Sequence, residues 1–196
     1  SKSFLVFVVD KNLLDLDNSI KKNIDLLCQA KNTSPDKITA CLLKRERHNS
    51  IINDLNDLKV SIKFITDGDV YGAMTVSNES SNIDIFLGIG GGPEGVLAAA
   101  ALDAHGCHFQ GRFIFDEDNA IKEAKKIGIT DLKKKYELIE IVKGDSIFCA
   151  TAITNTMDLK GIIKEDENSY LTETLFTHKS SGEKGIIKKK IILDNA

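Results

Sequence analysis

Three short stretches hold residues able to do chemistry together. "KRERH" supplies Lys44, Arg45, Glu46, Arg47 and His48; "DGD" supplies Asp67, Gly68 and Asp69; "GGGPEG" runs from Gly90 to Gly95 and carries Glu94. Guanidinium groups fork onto phosphate oxygens, and carboxylates accept hydrogen bonds from hydroxyls. Glycines at a strand-to-helix turn let backbone N–H groups approach an anion. Glu94 conflicts with that last role, because a carboxylate repels an anion unless a cation sits between them. The set suits a phosphorylated polyol, with Arg for phosphate and Asp for hydroxyls.

Each stretch also has a plainer reading. Arg45 and Arg47 fit a solvated first helical turn. His48 is read as structural or exposed rather than catalytic. Asp67-Gly68 fits a hairpin turn, although Val70, Ala73 and Met74 share a helical face and Asp69 fits a cap. Glu94 beside Pro93 is favourable at a helix start by the dipole alone. Gly90, Gly92 and Gly95 satisfy G-x-G-x-x-G. The dinucleotide fingerprint, however, belongs after the first strand of its unit, and Pro93 and Glu94 stand where pyrophosphate needs free N–H groups.

Alternating strands and helices must position these stretches. "SFLVFVV" (3–9) reads as a buried strand, and a helix follows from Asn18, its cap, to Lys31, with Ile20, Ile24, Leu27 and Cys28 on one face. Strand 37–44, helix 47–59, strand 61–66, helix 69–76, strand 83–89 and an Ala-rich helix 94–105 come next. The pattern predicts an α/β fold, a mostly parallel sheet with flanking helices. The polar stretches then gather at the C-terminal strand ends, where such sheets bind ligands. Further on, "GRFIF" (111–115), "YELIEIV" and "SIFCATAI" read as strands and 118–128 as a helix. "SYLTETLFTH" and "GIIKKKIIL" read as a C-terminal antiparallel hairpin. No repeat, low-complexity segment or linker interrupts the chain.

The chain's 196 residues are enough for one good-sized domain or a domain with an annex, and 42% hydrophobic content is enough for a core. A net charge of −3 argues against a nucleic-acid or anionic-membrane partner. The lysines of "IIKKKIIL" are read as protection of an edge strand. Cys28, Cys41, Cys107 and Cys149 lack metal-finger or redox spacing, as expected of reduced thiols in a cytoplasmic protein. No apolar run approaches a membrane span, and no signal peptide is visible.

In order, "DGDV", "GIGGGPEGVLAAAAL", "GR", "FCATAIT" and "TETL" resemble the later part of class II fructose-1,6-bisphosphatases. Those carry DGD, GIGGAPEG, SATGIT and TTETL segments. The resemblance runs from about Arg45 into the tail hairpin. It implies a layered sugar-phosphatase-like fold and hydrolysis of the 1-phosphate of fructose 1,6-bisphosphate with Mn²⁺ or Mg²⁺. It further implies substrate contacts from Arg45, Glu46 and Arg47, from Asp67, Gly68 and Asp69, and from Gly91, with Glu94 as a metal ligand. Sedoheptulose 1,7-bisphosphate is a second substrate implied by some members. That family often assembles into homo-oligomers, and the tail hairpin offers an edge.

The departures are specific. Arg45-Glu46-Arg47-His48 stands where the family reads Lys-Pro-Arg-His, so an acid enters a phosphate site. Gly92 replaces an Ala, and Ala152 a Gly. The family's earlier part supplies most metal-binding acids and the group that orients the attacking water. No matching acidic cluster precedes Arg45, and Asp10, Asp15 and Asp17 are read as a loop. Residues 1–196 are therefore expected to be a C-terminal α/β portion lacking the metal-binding portion, with no catalytic base identified. Two other functions compete: a non-catalytic sugar-phosphate binding module and a dinucleotide-dependent oxidoreductase.

Overall fold

A computed structural model describes residues 3–9, 13–66, 68–115, 117–156 and 159–193. The chain folds as two compact units, one up to Lys143 and one from Gly144. No change of composition marks that boundary, and the sequence shows no linker there.

The first unit is built on a six-stranded sheet. Its strands are β1 (Ser3–Val9), β2 (Thr39–Leu43), β3 (Ser61–Ile65), β4 (Ile85–Gly91), β5 (His108–Ile114) and β6 (Lys135–Glu137), in the spatial order β3-β2-β4-β1-β5-β6. Helices α1 (Ile20–Lys31), α2 (Asn49–Asp57), α3 (Asp69–Met74), α4 (Gly92–Leu102), α5 (Asp118–Lys126) and α6 (Leu138–Ile141) alternate with them. The fold is α/β as expected, and its sheet is mixed. β2 pairs in parallel with β3 and β4, whereas β1 runs antiparallel to both β4 and β5. Hydrophobic pattern reports burial and not strand direction. β1 has neighbours on both edges, and Phe4, Val6, Val8 and Val9 are buried on its two faces. That is why it reads as an unbroken apolar run.

The core joins Ile24 and Leu27 of α1 to Ile38, Ala40 and Leu42, Leu55 of α2, and Ile85 and Leu87 of β4. The cap of α1 is Ser19, not Asn18: the Ser19 hydroxyl accepts from the Lys22 amide at 3.2 Å. Asn18 instead donates through its side-chain amide to the Asn23 Oδ1 at 3.2 Å. Asn23, buried in α1, binds the Asp15 backbone through both its N–H and its oxygen. The side chain thus fixes the acidic loop, while Ser19, one residue later, is left to cap the helix. "YELIEIV" is also corrected. β6 stops at Glu137, whose side chain and that of Glu140 form a reciprocal capping box that turns the chain into α6. The alternation of apolar and acidic residues there satisfied both periods.

The second unit holds β7 (Ile147–Thr151), β8 (Ile163–Lys164), β9 (Ser169–His178) and β10 (Lys184–Ile192). All pairings are antiparallel, in the order β10-β9-β7, with β8 also on β9. The expected tail hairpin is β9–β10, and β10 is an edge strand. Its lysines meet acids, Lys188 at 3.0 Å from Glu173 and Lys190 at 3.0 Å from Glu165. Glu173, of "TETL", is buried; it also accepts from the Lys160 amide at 2.8 Å, and that N–H and then Lys188 hold its carboxyl below the usual glutamate value. Ala152 fits without a glycine: it is buried and its amide donates to the Glu173 carbonyl at 3.0 Å.

Candidate functional site

β2, β3 and β4 run in parallel, so their C-terminal ends lie side by side and bring the three stretches to one edge. After β2 the backbone tightens into a 3-10 turn, Glu46–His48, entered from an extended Arg45. Lys44 lies over the Phe64 ring at 5.8 Å. Arg45 turns along the sheet edge: its Nη2 donates to the Thr66 carbonyl at 2.9 Å, and its Nη1 faces the Lys44 carbonyl at 3.4 Å. Arg47 donates through Nε to the Ile89 carbonyl, and its Nη groups carry no bond to the described residues. Glu46 is exposed. His48 is fully buried, so the structural reading of it holds.

Of the second stretch, Asp67 lies outside the described residues. Gly68 has φ +89 and precedes α3, with Asp69 as its first residue. The helical reading therefore holds over the hairpin turn, and the left-handed φ explains the glycine. Asp69 is half-buried.

The third stretch answers the question its glycines raise. β4 continues through Gly91 and α4 begins at Gly92, with Pro93 and Glu94 in the first turn. Gly91 is extended, at φ −74 and ψ 153, and no glycine from Gly88 to Gly95 has a positive φ. These glycines are needed for room. A Cβ on Gly90 would stand 2.8 Å from the Asp69 Oδ2, and one on Gly91 would collide with the Glu94 carboxylate. Elsewhere the room is for rings. A Cβ on Gly95 would reach Phe4 at 2.5 Å, and one on Gly88 would reach Phe86 at 2.9 Å. The fingerprint's last glycine thus serves packing on Phe4, and acids stand over its first glycine, Gly90, and over Gly91 beside it. Both features oppose a pyrophosphate site.

Phe4, Val6, Phe86 and Ala98 line a shallow cleft together with Asp69, Glu94, Gly90 and Gly91. The arrangement offers two carboxylates and, from Arg47, guanidinium donors beside the strand that carries the glycines. Periodicity could not foresee the aromatic lining. Its signal is distributed over Gly72, Gly88, Gly95 and Gly111, each of which leaves space for Phe4 or Phe86.

Among the described residues no group of three His, Cys, Asp or Glu side chains is placed to hold a metal ion. The loop acids do not make up the deficit. Lys135 binds Asp15 at 2.5 and 2.6 Å and Asp17 at 3.1 Å, and Arg112 binds Asp17 as well. The Lys135 bond holds the Asp15 carboxyl below its ordinary value, and the bonds from Arg112 and Lys135 do the same for Asp17. Both serve as anchors of the loop, as the reading of a loop implied. Asp10 lies outside the described residues.

Residues 6–191 match the family described as "Bacterial fructose-1,6-bisphosphatase, glpX-encoded". A protein of Thermosynechococcus vestitus named "D-fructose 1,6-bisphosphatase class 2/sedoheptulose 1,7-bisphosphatase" is 35% identical over 166 residues, covering 78% of this chain and 48% of that protein. A protein of Acaryochloris marina with the same name and the suffix 2 is 34% identical over 165 residues, covering 78% and 47%. One of Trichormus variabilis, with the first name, is 32% identical over 165 residues, covering 78% and 48%. The chain spans about half the length of these relatives.

Proposed function

Because this chain belongs to the family of bacterial fructose-1,6-bisphosphatases, glpX-encoded, we propose that it supplies the substrate-holding edge of a phosphatase converting fructose 1,6-bisphosphate to fructose 6-phosphate. The observation that carries this reading is the meeting of Asp69 and Glu94 at two successive glycines, beside an arginine whose Nη groups bond to none of the described residues. In the proposed division of labour Arg47 takes phosphate, flanked by Arg45 and Glu46. Asp67, Gly68 and Asp69 take sugar hydroxyls. Gly91 permits close approach, and Glu94 gives one ligand to a divalent metal, Mn²⁺ or Mg²⁺.

Such a cation supplies charge neutralisation of the phosphate and activation of water. The carboxylates at the cleft do not by themselves fit a catalytic metal pair, since hard cations take six or more oxygen ligands. No hydrolytic step is assigned to these residues, whose part is to bind and orient. Sedoheptulose 1,7-bisphosphate is the second proposed substrate, on the relatives' names. We place the protein in the cytoplasm, in carbohydrate metabolism and gluconeogenesis. Four cysteines outside any disulfide support a reducing compartment, and no described helix is long and apolar enough to cross a membrane. Homo-oligomers are proposed on the open edge of β10.

The test is phosphate release from fructose 1,6-bisphosphate by the intact protein with Mn²⁺. Release no greater than a metal-free blank removes the proposal. That no third metal ligand joins the cleft carboxylates among the described residues favours one second reading, a sugar-phosphate binding module. Calorimetry of the same protein would then show bisphosphate binding without turnover.

A further inference from the structure

We infer that His48 is a positioning residue, a spacer whose imidazole joins the ends of β2 and β4 and so sets where the glycine run and Glu94 stand relative to Arg47. The inference rests on the substrate-edge reading above for its consequence, but its geometry is independent of it. β2 and β4 pair only at Ala40↔Ile85 and Cys41↔Phe86. Beyond that the strands are connected through the ring. His48 Nδ1 lies 2.6 Å from the Leu43 carbonyl, and the Ile89 amide donates to Nε2 at 2.8 Å, closer than the Ile89 carbonyl, which stands 3.3 Å from the same nitrogen. An amide N–H can only donate, so Nε2 is bare and the proton sits on Nδ1, aimed at Leu43. The ring is fully buried, with both nitrogens engaged.

The neighbouring arginines complete the clamp. Arg47 Nε binds the carbonyl of the same Ile89, so residues 47 and 48 together hold both polar groups of one peptide position. Arg45 binds the Thr66 carbonyl, which ends the segment after β3. One turn of chain thus ties β2 to both flanking strand ends. Gly90 and Gly91 follow Ile89 directly, and the Glu94 carboxylate lies against Gly91. A displacement at Ile89 would therefore move the metal-side carboxylate against the phosphate-side arginine. Arg45 acts in this clamp as a positioning residue too, since its Nη groups face backbone carbonyls.

The test has two arms on the full chain. In the first, ¹⁵N-resolved spectra of the His48 ring are recorded in the wild type. The expected result is a protonated Nδ1 and a bare Nε2; a protonated Nε2 would overturn the spacer, because it could no longer accept from the Ile89 amide. In the second arm His48→Phe keeps the ring volume and removes both bonds. The expected outcome is shifted Gly90, Gly91 and Glu94 amides, unchanged Leu42 and Leu87 amides, and inorganic phosphate binding about tenfold weaker. A folded variant with wild-type Gly90–Glu94 resonances and wild-type phosphate affinity would sink the inference. If the wild type binds no phosphate, the substrate-edge reading fails while the ring spectra still judge the spacer. They do so equally if His48→Phe does not fold.

Discussion

Gly91 and Gly111 are both glycines without a positive φ, yet a methyl group would act differently at each. On Gly91 it would meet the tip of the Glu94 side chain, which can swing away; on Gly111 it would meet the Phe4 ring inside the sheet–helix layer. Gly91→Ala is therefore expected to leave stability within about 0.5 kcal/mol and to weaken Mn²⁺ binding by the intact protein, read by thermal melts and metal titration. Gly111→Ala should destabilise by about 1–3 kcal/mol through overpacking, read by urea unfolding. Glu94 is exposed and bonds to no described residue. Glu94→Ala should thus keep the melting temperature while abolishing metal-dependent turnover of the intact protein. Turnover near the wild-type rate would show that Glu94 is no ligand.

At the scale of elements, the loop before α1 is held onto β5 and β6 by polar side chains. Gln110 accepts from the Leu16 amide at 2.7 Å and donates to Glu137 at 2.6 Å, while Lys135 and Arg112 bind Asp15 and Asp17 of the loop. The bonds from Lys135 and Arg112 depress the carboxyls of Asp15 and Asp17 below 3.8. The sign follows: a depressed folded value contributes stability that is present above about pH 3.8 and lost as pH falls through the folded values. The double replacement Asp15→Asn, Asp17→Asn should flatten the acid limb of the stability–pH curve below pH 4. At neutral pH its effect should be about 1 kcal/mol or less per exposed pair. Denaturant midpoints from pH 2 to 7 would check this; an unchanged acid limb would remove the loop anchor.

Over the whole molecule, burial is unequal between the two units. The first holds the large buried side chains, Phe86, Phe109, Ile24, Leu42, Leu55 and Leu87 among them. In the second the buried residues are chiefly polar, Ser169, Thr172, Glu173 and Thr177, while Ile147, Ile153 and Ile192 are 70%, 76% and 68% exposed. Local stability follows buried apolar contact. Amides of β9 and β10 are therefore expected to exchange with deuterium through openings smaller than the global one, and amides of β2 and β4 only by global unfolding. Equal protection in the two sheets would contradict this.

Much of the fold was legible because burial leaves a periodic trace: the α/β alternation, the tail hairpin and the order of the three polar stretches follow from apolar spacing and turn residues alone. Motif order also carried the family, since residue types at fixed separations survive without knowledge of their contacts. Other features needed the tertiary structure. The reversed direction of β1, Ser19 rather than Asn18 as the cap, and the turn of "YELIEIV" into α6 each depend on partners far along the chain or on competing local bonds. The glycines became intelligible only with Phe4, Phe86, Asp69 and Glu94 beside them, and His48 only with Leu43 and Ile89 at its two nitrogens. A sequence records which groups are present; the room around a glycine and the partners of a buried ring are set by atoms that only folding brings near.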